Sequence, residues 1–288
     1  MADSQIIKKL IFKIPDDLEL KETAKFYLRA FKSTDLSKVA DLVNFWKLFI
    51  EEKICYFIIA KYNEKIIGCG ALVTYRSHVW VAWMAVDPDF QQKGVGNKIM
   101  RNLMDYAKKS GFNTLRLDAT NVGKKLYSKF EFREEYRVLW HEIKFLKGRY
   151  DFEGSGIAVS NHIPKWCLKM DKEAFGDDRS RLLKLLLNNG GKIITVENEG
   201  DGILWKNRIG PIIAEDVDIA KNIVRYATGM GAERLYVPLH KDLPQDFLFD
   251  LKEVKRGTSL TCCTRMIFGD AVRENTKKIY ASFIAATG

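Results

Sequence analysis

The segment "HVWVAWMAVDPDFQQKGVGNKIMRNLMDYAKKSG", His78 to Gly111, constrains the fold of this chain most. Val79 to Val86 is an almost unbroken apolar run, the pattern of a central strand buried on both faces. Further on, Ile99, Met100, Leu103, Met104 and Ala107 recur on one helical face, with Gly111 as a C-terminal cap. Gln91-x-x-Gly94-x-Gly96 joins the two, and it has two readings. Free N–H groups at a helix start, together with the helix dipole, favour an anion, and glycine lets the backbone approach a pyrophosphate with no Cβ in the way. Glycine is also an ordinary residue of a strand-to-helix turn. The dinucleotide pattern G-x-G-x-x-G fails because Ile99 stands at its third glycine, and the nucleotide P-loop fails for want of G-K-[ST].

Before this segment, "QIIKKLIFKI" reads as a first strand and "LELKETAKFYLRAFK" as a helix. "TDLSKVADLVNFWKLFIEE" reads as a second helix, capped by Thr34 or Asp35. "ICYFIIAKY" and "EKIIGCGALVTYR" are strands joined as a hairpin at "NEK". After Gly111 come "NTLRLDAT" (strand), "GKKLYSKF" (short helix) and "EYRVLWHEIKF" (strand). This order predicts a mixed sheet with helices on its faces, complete by residue 148 and followed by a linker at "KGRYDFEGSG".

A chain of 288 residues leads to an expectation of two domains, 1–148 and 149–288. The remainder repeats the logic of the first half: helix "DDRSRLLKLLLNN", strands "GKIITVEN", "GILWKN" and "IGPII", helix "VDIAKNIVRYATGMG" and strand "ERLYVPL". An ungapped shift of 120 residues places Tyr106-Ala107 on Tyr226-Ala227, Gly111 on Gly231 and Leu115 on Leu235, so an internal duplication is expected. The same shift sets Pro211 against Gln91, Ala214 against Gly94 and Asp216 against Gly96. Glu215 and Asp216 would repel a pyrophosphate and Pro211 offers no N–H, which predicts one anion site per chain, in the first half.

With 47% hydrophobic and 29% charged residues the composition is that of an ordinary globular protein. No apolar run is long enough for a membrane span and no targeting segment is recognisable. Five cysteines, few and odd in number, read as reduced thiols of a cytoplasmic protein. No metal site is expected, because the adjacent Cys262 and Cys263 point to opposite sides of a strand. The net charge of +10 is dispersed among acidic residues, which suits anionic ligands better than a nucleic-acid surface.

"VDPDFQQKGVGNKIM" resembles the acyl-CoA-binding segment of the GNAT superfamily of acetyl-CoA-dependent N-acetyltransferases, with its pattern [QR]-x-x-G-x-[GA] after a strand ending V-x-P-x. "LDATNVGKKLYSKFEF" is similar to that family's fifth strand and following helix. "DKEAFGDDRSRLL" and "IGPIIAED" resemble the C-terminal domain of a two-domain branch. The resemblance implies an α/β fold of tandem GNAT-like domains, each a mixed, mostly antiparallel sheet flanked by helices, the second degenerate. It implies transfer of an acetyl group from acetyl-CoA to an amine, a small molecule favoured over a protein; the dispersed charge and the lack of a long apolar run give no nucleic acid or membrane as an expected partner. The second half would cover the acceptor side or stabilise the first by packing, with Trp140, Trp166 and Trp205 as residues of the junction or of the core.

Residue by residue, the resemblance implies that backbone groups of Met84, Ala85 and Val86 pair with the pantetheine arm and the acetyl carbonyl. Gln91 opens the motif, and amides of Gln92, Lys93, Gly94, Val95, Gly96 and Asn97 hold the pyrophosphate. Tyr127 matches the tyrosine that protonates the departing thiolate, as a phenol of pKa ~10 can towards a thiol near ~8.5. The bland alternative is a ring packed under the sheet. Asn121 is one place off the usual asparagine, so it is either a weak CoA contact or the N-cap of the short helix. Glu131 stands at a usual glycine, which requires a different turn or an uncommon backbone conformation. No general base is assigned: His78, His141, Glu142, Asp118 and a water relay are all candidates. The missing base leaves a second function in view, a non-catalytic acyl-CoA-binding or sensing protein.

Overall fold

The computed structural model describes residues 2–33, 35–145, 156–239, 247 and 255–288. The chain forms two compact units, Met1–Thr74 with His78–Leu117, and Tyr75–Ser77 with Asp118–Gly288. The expected linker lies outside the described residues except for Gly156.

The first unit contains α1 (Ala2–Lys8), β1 (Ile11–Lys13), α2 (Asp17–Ala30), α3 (Lys38–Glu51), β2 (Cys55–Tyr62), β3 (Lys65–Thr74), β4 (Val79–Val86), α4 (Val95–Lys109) and the start of β5 (Leu115–Thr120). Strands run in the order β1-β2-β3-β4-β5, antiparallel except for the parallel pair β4–β5. The "NEK" hairpin is present, with Asn63 and Glu64 at φ 45° and 62°, the backbone of a primed turn. The expected first strand is instead α1 followed by the three residues of β1. Adjacent Ile6-Ile7 then Lys8-Lys9 break the alternation that a one-sided strand requires. Ser37 rather than Asp35 precedes α3 and makes no side-chain cap, while the Asp35 carboxylate accepts from the Ser37 amide; Thr34 lies outside the described residues.

Gly68 and Gly70 on β3 set how closely α4 approaches. A Cβ on Gly68 would stand 2.6 Å from Ile99 Cδ1, and one on Gly70 would stand 2.9 Å from Ile99 Cγ2 and 2.7 Å from Met84 Sδ. The opposite face carries an aromatic core in which Trp83 packs against Phe45, Trp46, Phe49 and Phe57.

The second unit takes the end of β5 and continues with α5 (Asn121–Tyr127), β6 (Arg133–Phe145), β7 (Ile157–Ser160), α6 (Lys165–Phe175), α7 (Ser180–Asn188), β8 (Lys192–Val196), β9 (Gly200–Trp205), β10 (Arg208–Ala214), α8 (Val217–Gly229), β11 (Arg234–Leu239), β12 (Lys255–Phe268) and β13 (Ile279–Ala281). Strands run β12-β6-β11-β10-β9-β8-β7, with β13 on β10, and among the described residues the parallel pair of this series is β10–β11. Elements β7, α6, β12 and β13 go beyond those predicted from periodicity. Trp140 and Trp205 are buried core residues, and Trp166 packs on the cluster of Met170, Ala174, Ile213 and Ile279.

The duplication is visible within each unit. Val79↔Leu115 and Trp80↔Arg116 pair in parallel around α4, as Arg208↔Arg234 and Ile209↔Leu235 do around α8. Gly200 and Gly202 repeat the role of Gly68 and Gly70, with added Cβ atoms 2.7 Å from Ile219 Cγ2 and 2.7 Å from Ile223 Cγ2 of α8. One constant shift cannot align both strand and helix, because the eight residues between β4 and α4 shrink to two between β10 and α8. Pro211 consequently lies inside β10 rather than opposite Gln91, which corrects the ungapped alignment.

Candidate functional site

β4 carries a bulge. Cys69 pairs with Ala85 but Ala71 pairs with Ala82, so β4 has one residue more than β3, and Trp83 takes a positive φ of 49°. A bulge bends its strand and increases the local twist. The β4–β5 ladder holds Val79↔Leu115 and Trp80↔Arg116, whereas β4 runs on to Val86. Met84, Ala85 and Val86 therefore keep β3 on one side, with Val86 opposite Gly68, and lie past the Trp80↔Arg116 pair on the β5 side.

The turn after β4 is held by a residue that motif reasoning passed over. Asp87 is fully buried, accepts from the Asp89 amide and pairs with Arg29 and Lys65. The signal for it was the aspartate directly before Pro88, the N-cap and N1 of a single 3-10 turn. Gln91 is a brace, its Nε2 donating to the Val86 carbonyl at 3.1 Å. Gln92 is exposed at φ 61°, and Lys93 Nζ donates to the Asp89 carbonyl at 2.7 Å. Gly94, at φ 82°, is the N-cap of α4 and makes no side-chain cap. The first intrahelical bond runs from the Lys98 amide to the Gly94 carbonyl, so the amides of Val95, Gly96 and Asn97 precede the helical ladder. These groups leave a helix start with free amides, opened by a left-handed residue that glycine adopts without strain.

In the second unit the corresponding helix start is filled from within. Asp216 caps α8, its Oδ1 accepting from the amides of Asp218 and Ile219, both at 2.9 Å. A carboxylate of the chain thus occupies the place an external anion would need.

Tyr127 is the last residue of α5, buried, with its ring 5.9 Å from Phe132. Burial, with a smaller contribution from the Cys263 thiol, raises its pKa well above that of an ordinary tyrosine. Thr120, not Asn121, caps α5: its Oγ1 accepts from the Gly123 amide at 3.2 Å, and Asn121 is an exposed first-turn residue. Glu131 keeps the turn and adopts the uncommon backbone, at φ 64° and ψ 18°.

Among the candidate bases, Asp118 receives three N–H donors: Trp140 Nε1 at 3.0 Å, Arg265 Nε at 2.9 Å and Arg265 Nη2 at 3.1 Å. Those bonds occupy its carboxylate, which makes it an anchor. His78 is buried before β4, about 20 Å of strand from Met84 at ~3.3 Å per residue. Glu142 pairs with Arg234 at 3.5 Å, and the His141 side chain lies outside the described residues. The five cysteines are free thiols, with Cys262 half-buried and Cys263 buried. No helix of the described residues is long and apolar enough to cross a membrane.

β4, bulged and parallel to β5, runs into an uncapped glycine turn at the start of α4, within an α/β fold. Residues 20–132 match the acetyltransferase (GNAT) family model and residues 167–281 match a second acetyltransferase (GNAT) domain model. A Pyrococcus horikoshii protein described as a candidate acetyltransferase has a similar crystal structure, with TM-score 0.85 and 27% identity over 98% of this chain and 96% of that one. YitH, an uncharacterised N-acetyltransferase of Bacillus subtilis (strain 168), is 26% identical over 200 residues, 65% of this chain and 70% of that protein. An amino-acid acetyltransferase of Neisseria meningitidis is 24% identical over 134 residues, 42% of this chain and 31% of that protein. The chain belongs to the GNAT acetyltransferase superfamily and carries two GNAT domains in tandem, divided at residues 148 and 149 in the expectation above.

Proposed function

We propose that the protein transfers the acetyl group of acetyl-CoA to the amine of a small molecule, and that the cosubstrate is bound by the first GNAT domain alone. One observation carries this reading: Gly94 leaves the start of α4 uncapped, while Asp216 plugs the start of α8. Amides from Gln92 to Asn97 would hold the pyrophosphate, and the β5-facing backbone of Met84, Ala85 and Val86 would pair with the pantetheine arm and the acetyl carbonyl. Gln91 ties the turn to the end of β4 by donating to the Val86 carbonyl.

In the reaction the amine nitrogen forms a bond to the acetyl carbon as the carbon–sulfur bond breaks, the amine gives up a proton, and the departing thiolate takes one. Tyr127 is the proposed donor of that last proton. A phenol kept protonated by burial remains a donor across the neutral range, and re-protonation from water restores it. Asp118 is excluded from the base role by its three donors, which leaves a relayed water as the preferred route for the amine proton. Amino acids are the first acceptors to try, since one similar protein is named an amino-acid acetyltransferase.

The test is thiol release from acetyl-CoA against a panel of amino acids, polyamines and small aromatic amines, in the wild type and Tyr127→Phe. The expected result is transfer to at least one amine, with kcat lowered at least tenfold in Tyr127→Phe at unchanged CoA affinity. CoA binding without transfer to any amine would favour a sensing module instead.

A further inference from the structure

Strand β12 belongs to the second half of the sequence, yet it lies against both ends of α5, the short helix that carries Tyr127. At the start of α5, Arg265 on β12 grips Asp118 through Nε and Nη2, two residues before the Thr120 cap. At its end, Cys263 on the same strand neighbours the Tyr127 phenol, and Phe132, 5.9 Å from the Tyr127 ring, lies 5.8 Å from Phe268. Cys263 and Arg265 are two apart on a strand and so share a face.

Arg265 is itself over-determined. It is 4% exposed, donates through Nη1 to Tyr136 Oη at 2.8 Å, and stands 3.6 Å from Glu274, to which the Tyr136 hydroxyl also bonds. β12 is antiparallel to β6 from Lys255↔Phe145 to Ile267↔Arg133, so the guanidinium sits on a long paired strand and not on a loop. An isolated helix of seven residues is unstable in water, and the placement of Tyr127 must come from what α5 is tied to.

We propose that Arg265 is a positioning residue for Tyr127: from the second GNAT domain it fixes Asp118, and through it the turn from β5 into α5. This rests on the reading of Tyr127 as the proton donor, and it gives the degenerate domain a part in the chemistry that a cover over the acceptor would not have. Among the described residues, the titratable group that acts on the phenol is the Cys263 thiol, pushed up to about 12 by burial first and then by Asp118 and Cys262, with Arg265 opposing them. Lys124 and Lys125 are the charged residues of α5 itself, and Lys124 is turned to Glu134 at 2.6 Å.

The experiment follows the phenol directly. The full chain is labelled with [13Cζ]tyrosine and titrated by NMR, and the Tyr127 resonance is identified by its loss in Tyr127→Phe. In the wild type this resonance is expected to stay constant beyond pH ~10, the range in which exposed tyrosines titrate. Arg265→Lys cannot make the forked contact, so the turn loosens, water reaches the ring, and the midpoint falls by about one pH unit or more. An unchanged Tyr127 titration in a folded Arg265→Lys protein overturns the proposal.

A second measurement covers failure of the variant to fold. In wild-type protein the α5 amides should exchange with solvent only as slowly as those of β12, and exchange of α5 ahead of β12 would equally overturn it. Turnover keeps the two readings apart. Unchanged kcat in Tyr127→Phe removes the acid role, whereas the anchoring of α5 by Arg265 stands or falls on the titration and the exchange rates.

Discussion

Gly94 and Asp216 hold the same place in the two halves of the chain, the cap of the helix that follows the bulged or bent central strand, and only Asp216 fills that cap with its own side chain. Calorimetric titration with CoA should give a stoichiometry near one. Gly94→Ala forces a side chain into φ 82°, at roughly 1–2 kcal/mol, and places a methyl 3.3 Å from Ile7 Cδ1, so CoA affinity should fall by about tenfold. Asp216→Ala should cost about 1 kcal/mol of stability and leave CoA binding unchanged. A stoichiometry of two would refute the assignment.

The paired glycines of β3 and β9 predict matched stability losses. A methyl on Gly70 meets Met84, Ile99 and Leu103 within 3.0 Å, and one on Gly202 meets Ile223 at 2.7 Å. Each Gly→Ala variant should lose about 1–3 kcal/mol in denaturant unfolding. A loss at one site alone would mean that only one helix is seated against its strand by glycine.

Asp201 gives a pH dependence of known sign. It is 4% exposed, its Oδ2 has no hydrogen-bond partner, and Asp171, engaged by Arg179 in a forked pair, lies near enough to repel it. Burial first and Asp171 second raise its pKa well above 3.8, against the opposing effects of Arg179 and the Cys167 thiol. A raised carboxyl binds its proton more tightly in the folded chain. Below about pH 4 it costs nothing, and stability then declines as pH rises, by up to ~1.4 kcal/mol per unit, until the folded group ionises. Asp201→Asn should abolish that decline and stabilise the protein at pH 7, as read from thermal midpoints between pH 4 and 8. A midpoint lower than wild type at pH 7 would contradict it.

Glu131 supports a simpler test. Its φ of 64° strains an L side chain, and glycine relieves that strain while adding freedom to the unfolded chain. Glu131→Gly should be neutral or stabilising by up to about 1 kcal/mol in chemical denaturation, with no loss of CoA affinity. Marked destabilisation would show that the glutamate side chain does something the turn requires.

The residues of β4, the glycine turn and α4 determine their local structure unaided. An apolar run and a 3.6-residue periodicity fix the strand and the helix before folding, whereas the two glycines mark a turn that the sequence leaves open between an ordinary connection and an anion site. The duplication is legible in the same way, through Gly111 and Gly231 at matching helix ends. Its register is not, because a pattern comparison does not see that an eight-residue turn has become two. The first segment, which fits a strand, folds as α1, and the cap of α5 falls on Thr120 rather than Asn121, for a related reason: a few residues fit two local conformations and packing selects one. What only the tertiary structure decided is the company Tyr127 keeps. Asp118 is a candidate base on sequence alone, and Arg265, 147 positions further on, belongs to no motif. β12, held by its pairing with β6, lies next to the end of β5 and so brings the second beside the first, and hydrogen bonds between residues so distant leave no periodic trace in the sequence.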